Sequence, residues 1–353
     1  MCRRAIWRCC AAGAAMTATF LVHQAGPAVT VQDLGWHGYV AQGVSRGGAI
    51  DMLAMAEGAA LLGQSPNLAA LEMAGFGGVF SATRDCVIAL TGAEMRADLD
   101  GRALAWNATH AVPAGAKLKI GPVMRGIYGY LHISGGFEPP LILQGRGTHL
   151  AAGLRAAIRE GAELPFGASS ATRAGLSLDV AERSAGGFIR ILPTLQSDMF
   201  GADLLAAFQN TSFTRDPRSN RMGVRLAAPD APNFAPEAAR NILSDIVMEG
   251  DIQITGDGTP YVLMAESQTT GGYPRIAQVL PCDLPRLAQL SSGAEVMFQM
   301  ISHGEAVEIE RAAQAARAQL GAMCKPVLRD PREAGDLLAM QLISGVTAGE
   351  DEG

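Results

Sequence analysis

What most limits the fold of this chain is its punctuation. Short runs of alternating apolar residues stop repeatedly at glycine: "ATFLVHQAG" (18–26), "CVIALTG" (86–92), "MRADLDG" (95–101), "AKLKIG" (116–121) and "GIYGYLHISGG" (126–136). Alternation with period two places one face of each run inward, and glycine ends it at a tight turn. The chain holds 42 glycines in 353 residues, so turns are frequent and the architecture is expected to be mainly β, a β-rich α+β fold. Three copies of a Gly-Ala turn feeding a strand echo one another, "VPAGAKLKIG" (112–121), "LSSGAEVMFQ" (290–299) and the weaker "REGAELPFG" (159–167). The echo suggests two related units.

Helical spacing interrupts the strands in a few places. "DMLAMAEGAALLGQ" (51–64) has Asp51 at the N-cap position, "DMFGADLLAAFQ" (198–209) is a second helix, and "EAVEIERAAQAARAQLGAM" (305–323) is a third with charge pairs at i,i+3 and i,i+4. The stretch 168–188 is small and polar and reads as a linker. The expected organisation is a disordered leader (1–16), an N-terminal unit with its linker (17–188), a C-terminal unit (189–302), and a helix with an acidic tail (303–353).

Composition removes several function classes. With 48% hydrophobic and 18% charged residues the chain is globular. A net charge of −6 argues against a nucleic-acid surface. No apolar run reaches the ~18 residues that a membrane span needs. The arginine-interrupted start lacks the apolar stretch of a secretory signal. Six cysteines show no CxxC pair, so neither a disulfide framework nor a zinc site is supported, and a reduced cytoplasm is the natural location. The six histidines are scattered without local partners, so no metal site is expected. Protease, esterase, P-loop and Rossmann signatures are missing, and no ATP site of the chain's own is visible.

Four stretches carry candidate chemistry. "VQDLGWHGYV" (31–40) sets Asp33 and His37 among turn glycines, either as turn residues or as ligand contacts. "SRGGAID" (45–51) places Gly47 and Gly48 before a helix, where they form a loop or receive an anion at the helix N-terminus. "DPRSNRMGVRL" (216–226) concentrates Arg218, Arg221 and Arg225, suited to carboxylate or phosphate or to salt bridges at a barrel rim. "ESQTTGGYPR" (266–275) is the least turn-like, with Gln268, Thr269, Thr270, Gly271, Gly272 and Tyr273 in succession.

Taken in order, "TVQDLG", "GGAID", "SGGF" (134–137), "SNRMGVRL" and "ESQTTGGYPRIAQVLPCDLPRLAQL" resemble the biotin-dependent carboxyltransferase family over about residues 18–302. That family includes the C component of prokaryotic 5-oxoprolinase and a module of the urea carboxylase/allophanate hydrolase system. The resemblance implies two cyclophilin-like β-barrel units with a few packed helices. It implies partners like the A and B components of 5-oxoprolinase, with which the assembly opens 5-oxoproline to glutamate using ATP. The alternatives are a carboxyltransferase acting on urea or a related amide with biotin, and a non-catalytic regulatory partner of a kinase-inhibitor-like protein. Under the resemblance Gln268 and the Gly271 and Gly272 amides would bind a planar amide and its oxyanion. Arg221 would hold an anion, Asp51 or Asp33 would act as base or orienting acceptor, and Tyr273 would stack or donate a proton. Gly47, Gly48, Thr269 and Thr270 would contact substrate. Three departures concern the substrate: Trp36 where a polar residue is common, "LQGRGTHL" (143–150) where the family tends to be serine-rich, and Asn220 for an aspartate.

Overall fold

The structure is a computed structural model that describes residues 18–168, 174–236 and 242–327. The leader and the acidic tail lie outside the described residues. The chain is mainly β, with four α-helices among the described residues: α1 (Met52–Leu62), α2 (Gly201–Asn210), α3 (Leu284–Ala288) and α4 (His303–Met323). None of these is long and apolar enough to cross a membrane.

In the first half the strands form two sheets over a common core. One runs, in spatial order, Glu163–Pro165, Thr19–Ala25, Phe76–Ala82, Leu118–Val123, Met95–Leu99 and Arg102–Ala103. The other runs Val29–Gln32, Ala70–Ala74, Tyr128–Ile133, Cys86–Gly92, Ala108–Val112, Leu176–Ser177 and Lys325–Pro326. Phe20, Phe80 and Phe137 meet between them, with Phe20 5.5 Å from each of the other two ring centroids. The second half is a closed seven-stranded barrel, sealed where Gly187–Leu192 runs parallel to Glu295–Met300. Its interior is filled by Phe208, Phe213, Phe234 and Phe298.

The repeated Gly-Ala turns share one geometry. In each, the alanine N–H donates to the carbonyl three residues earlier at 3.1 Å: Ala116 to Pro113, Ala162 to Arg159, Ala294 to Ser291. Gly115, Gly161 and Gly293 take φ of 79°, 79° and 78°, the left-handed third position that a type II turn demands and glycine supplies without strain. The echo is thus a turn device, used twice in the first half and once in the barrel.

The stretch 168–188 is not a simple linker. Residues 169–173 are outside the described set, but Leu176–Ser177 adds a strand to the second sheet. Half-buried Arg183 forms a bidentate pair with Glu57 at 2.6 Å and reaches Asp51 at 3.1 Å. A segment rich in small residues looks like a spacer when this arginine's partners lie over 120 residues away.

α1 lies over the second sheet, and the end of α4 packs on it through Leu320 and Cys324 against Leu61 and Leu62. Gly58, inside α1, is required by contact. A Cβ there would stand 2.2 Å from the His132 ring. Gly→Ala in an open helix gains about 1 kcal/mol. Here the sign reverses, and Gly58→Ala is expected to cost about 1–3 kcal/mol by overpacking. A urea midpoint at or above that of the parent would refute it.

Candidate active-site cleft

The centre of the molecule is an ion network spanning both halves. Arg221 donates through Nε to Glu266 at 2.6 Å, through Nη1 to Glu72, and through Nη2 to the Gly48 carbonyl at 2.6 Å. Glu72 also accepts from the Tyr130 hydroxyl (2.6 Å) and the Ile50 N–H (3.0 Å), and Glu266 from the Ala151 N–H (3.0 Å). Burial works to lower the Arg221 pKa, but Glu72 and Glu266 outweigh it and hold the guanidinium well above its ordinary range. Its fork is occupied by the protein's own carboxylates. The anion at the start of α1 is likewise internal, since Glu72 takes the Ile50 N–H.

Asp51 is fully buried and caps α1 by accepting from the Ala54 N–H at 3.0 Å. Its other oxygen accepts from Gln289 at 2.8 Å and from Arg183. A carboxylate so enclosed ties α1 to the barrel and has no path to a substrate proton, contrary to the base role the resemblance implied. Asp33 is also spent locally, accepting from the Gly35 N–H at 2.9 Å and the Arg146 N–H at 2.6 Å. Gly47 and Gly48 serve close packing. At φ of 58° and 69°, their added Cβ atoms would meet Trp36, His149 and the 33–35 backbone within 2.9 Å.

Beside this network opens a cleft of about 890 Å³. Three of the four sequence stretches meet there: Trp36 and His37 from the first, Ser45 and Arg46 from the second, Ser267 and Thr269 from the last. Backbone bonds fix the meeting, Gly47 N–H to Ala265 carbonyl (2.8 Å) and Trp36 N–H to Arg46 carbonyl (2.6 Å). A turn closed by the Ser267 N–H on the Met264 carbonyl (2.9 Å) sets Ala265, Ser267 and Thr269 on the cleft while Glu266 points away into the ion network. Ser267 is only 4% exposed, yet its hydroxyl has no partner among the described residues. Arg46 and Glu249 close one side with bonds of 2.8 and 2.9 Å.

Ser45 and His149 were not singled out from sequence. Ser45 Oγ lies 2.9 Å from His149 Nε2, while His149 Nδ1 accepts from the Ala152 N–H at 3.1 Å. The Nδ1 bond assigns the ring proton to Nε2, so Ser45 accepts from the imidazole and its own proton is free for the cleft. Burial lowers the His149 pKa, which keeps the ring neutral. Their separation of 104 residues left no local signal.

The remaining predicted residues sit at the mouth or beyond it. Gln268 is exposed and donates to Gln253 at 3.3 Å. Thr270–Gly271 pairs with Asp245–Ile246 as a two-stranded ribbon. A Cβ at Gly271 would stand 2.5 Å from Gln253 Nε2. Gly272 is exposed, and Tyr273 is 48% exposed with its hydroxyl unbonded among the described residues. Arg221 and the 268–273 stretch therefore do not converge on one ligand, a correction to the expected shared grip. Arg221 and Glu266 face a different cavity from Ser267 and Thr269.

Two of the sequence departures are one adaptation. Trp36 is 2% exposed and donates through its indole to the Ile142 carbonyl at 2.8 Å. A Cβ at Gly145 would lie 2.6 Å from that indole nitrogen. The larger ring at 36 needs the bare backbone at 145.

Comparison with known proteins identifies relatives of the chain. The chain is 32% identical over 286 residues to the 5-oxoprolinase C chain of Haemophilus influenzae, covering 80% of this chain and 91% of that protein. It is 33% identical to the Escherichia coli protein of the same name, over 81% and 92%. The crystal structure of TTHA0988 superposes with a TM-score of 0.74 at 28% identity, over 82% of this chain and 57% of that longer one. The Kluyveromyces lactis urea amidolyase shares the fold, with a TM-score of 0.76 at 22% identity over 89% of this chain and 21% of that protein. The sequence profile of the carboxyltransferase domain, subdomain A and B, matches residues 42–300. The chain is a member of that carboxyltransferase-domain family.

Proposed function

We propose that the chain is the C-type component of an ATP-dependent 5-oxoprolinase and that its cleft holds the lactam of 5-oxoproline. The observation that carries this reading is the unpaired Ser267 hydroxyl in the cleft wall, beside Thr269 and the free proton of Ser45. Three hydroxyls on rigid backbone suit a flat amide whose oxygen gains charge as the C–N bond opens. Ile50, Ala59 and Leu284 offer apolar wall to the ring methylenes. Arg317 of α4 lines the same cleft, exposed and without a carboxylate partner among the described residues, and would meet the substrate carboxylate. The near full-length similarity to two proteins named as the C component of 5-oxoprolinase supports the substrate.

ATP is used by the assembly, and A-like and B-like partner proteins complete it. The ribbon at the mouth exposes Leu243 (87%), Ile246 (57%) and Tyr273 (48%), and this apolar edge is where a partner would dock and close the cleft. Cys86, Cys282 and Cys324 are free thiols, in keeping with the cytoplasm. Similarity to urea amidolyases supports a second reading, carboxyl transfer from biotin to a urea-like amide in the same cleft.

The test is co-expression with the two partner proteins and an assay of ATP-dependent glutamate formation. The double variant Ser267→Ala/Thr269→Val is expected to lower kcat at least a hundredfold, the scale of lost oxyanion donors, with assembly intact. Unchanged turnover would remove the cleft from the mechanism. Carboxylation of urea by a biotin carrier without 5-oxoproline cleavage would select the second reading, and stable assembly with neither activity a regulatory role.

A further inference from the structure

On the far side of the Glu72–Arg221–Glu266 network lies a second cavity of about 780 Å³. Its walls are largely apolar, among them Ala28, Ala74, Val123, Ile127 and Met222. Every carboxylate facing it is already engaged. Glu72 and Glu266 hold Arg221, and Asp216 holds Arg218 (2.7 Å) and Arg225. One cation remains. Arg215 reaches the cavity wall with only neutral partners, Nη1 donating to the Leu287 and Ala288 carbonyls at 3.2 and 3.4 Å and Tyr128 standing beside it. It has no carboxylate partner among the described residues.

The two carbonyls end α3, so one guanidinium nitrogen caps a helix. That cap engages Nη1, and the Tyr128 hydroxyl is the other side-chain partner of the guanidinium, which leaves its charge without a counter-ion among the described residues. Charge inside a protein is normally neutralised by a partner. Here the space that would hold the partner is open, apolar-walled and bordered by the Tyr128 hydroxyl.

We infer that this cavity is a second ligand site, which takes a small carboxylate with an apolar body, its carboxyl group on Arg215 and Tyr128. A planar carboxylate can accept from the guanidinium and from the Tyr128 hydroxyl, whose proton is not spent on Arg215. A monoanion is favoured over phosphate because Glu72 and Glu266 face the same space and repel a second negative charge. The site is separate from the lactam cleft, and its fate in experiment leaves the reading of that cleft untouched.

The experiment is isothermal titration of the full chain with cyclopentanecarboxylate and, separately, with its neutral isostere cyclopentanecarboxamide. The acid is expected to bind saturably and the amide at least tenfold more weakly. Arg215→Met is expected to weaken the acid at least tenfold. Because that change also removes a helix cap, Ala28→Leu serves as the second variant, filling the cavity while keeping the arginine and its carbonyl bonds. It too should weaken binding at least tenfold, with an unchanged circular dichroism spectrum. Equal binding of acid and amide, no saturable binding of the acid, or undiminished affinity in Ala28→Leu would each overturn the assignment.

Discussion

Replacing Arg221 by methionine is expected to remove about 3–5 kcal/mol of stability, the cost of breaking a buried ion network by deleting one partner. Methionine keeps most of the stem volume, so the loss reports charge more than packing. Without the guanidinium, Glu72 and Glu266 face each other across the junction of the two halves, and the Gly48 carbonyl loses its donor. The network as a whole adds little over a neutral core, because its desolvation cost offsets its attraction. The triple variant Arg221→Met/Glu72→Gln/Glu266→Gln is therefore expected to recover most of the loss. Glu72→Gln keeps an oxygen for the Tyr130 hydroxyl and the Ile50 N–H. Urea unfolding followed by fluorescence of Trp36 and Trp106 measures all of these. A single variant within 1 kcal/mol of the parent, or a triple variant weaker than the single, would show that the network is not the junction described. The same result decides how Arg221 is used. A side chain needed to neutralise two internal carboxylates has no free fork for a substrate anion.

What could be read from sequence was local. The Asp51 cap, the three Gly-Ala turns and the three longer helices announce themselves within a few residues, because capping and turn chemistry act over three or four positions. The convergence of the 31–40, 45–51 and 266–275 stretches follows from their resemblance to one family. The roles of individual side chains are less legible. Arg221 reads as an anion site because Glu72 lies 149 residues away. Within 266–275 the more conspicuous residues, Gln268, Gly271, Gly272 and Tyr273, form the mouth. The cleft wall belongs to Ser267 and Thr269, and the turn at 264–267 that buries Glu266 separates the two sets. Trp36 and Gly145 read as two independent departures, and their 2.6 Å encounter joins them.

The pH dependence of stability should be dominated, below neutrality, by one histidine outside the cleft. His132 is packed between the second sheet and α1, and burial drives its pKa from 6.5 down to about 3. Thr91 spends its only hydroxyl proton on the Ala54 carbonyl at 2.9 Å, so it accepts from His132 Nε2 at 2.8 Å and fixes a neutral tautomer. A group whose folded pKa is depressed stabilises the fold fully above its unfolded pKa and loses that contribution as pH falls. The window here runs from about 6.5 down to about 3. Between pH 7 and pH 4.5 this residue alone is expected to remove about 2.5 kcal/mol, approaching about 1.4 kcal/mol per pH unit. His132→Gln presents an amide donor to Thr91 without a titrating ring. Its urea stability should fall less steeply with acid than the parent's, by about that amount at pH 4.5. His149 and His110, whose pKa values burial also lowers, titrate in both proteins and cancel in the difference. Parallel pH profiles for the two proteins would mean that the imidazole under Gly58 is protonated in the fold, and the packing argument made for that glycine would fall with it.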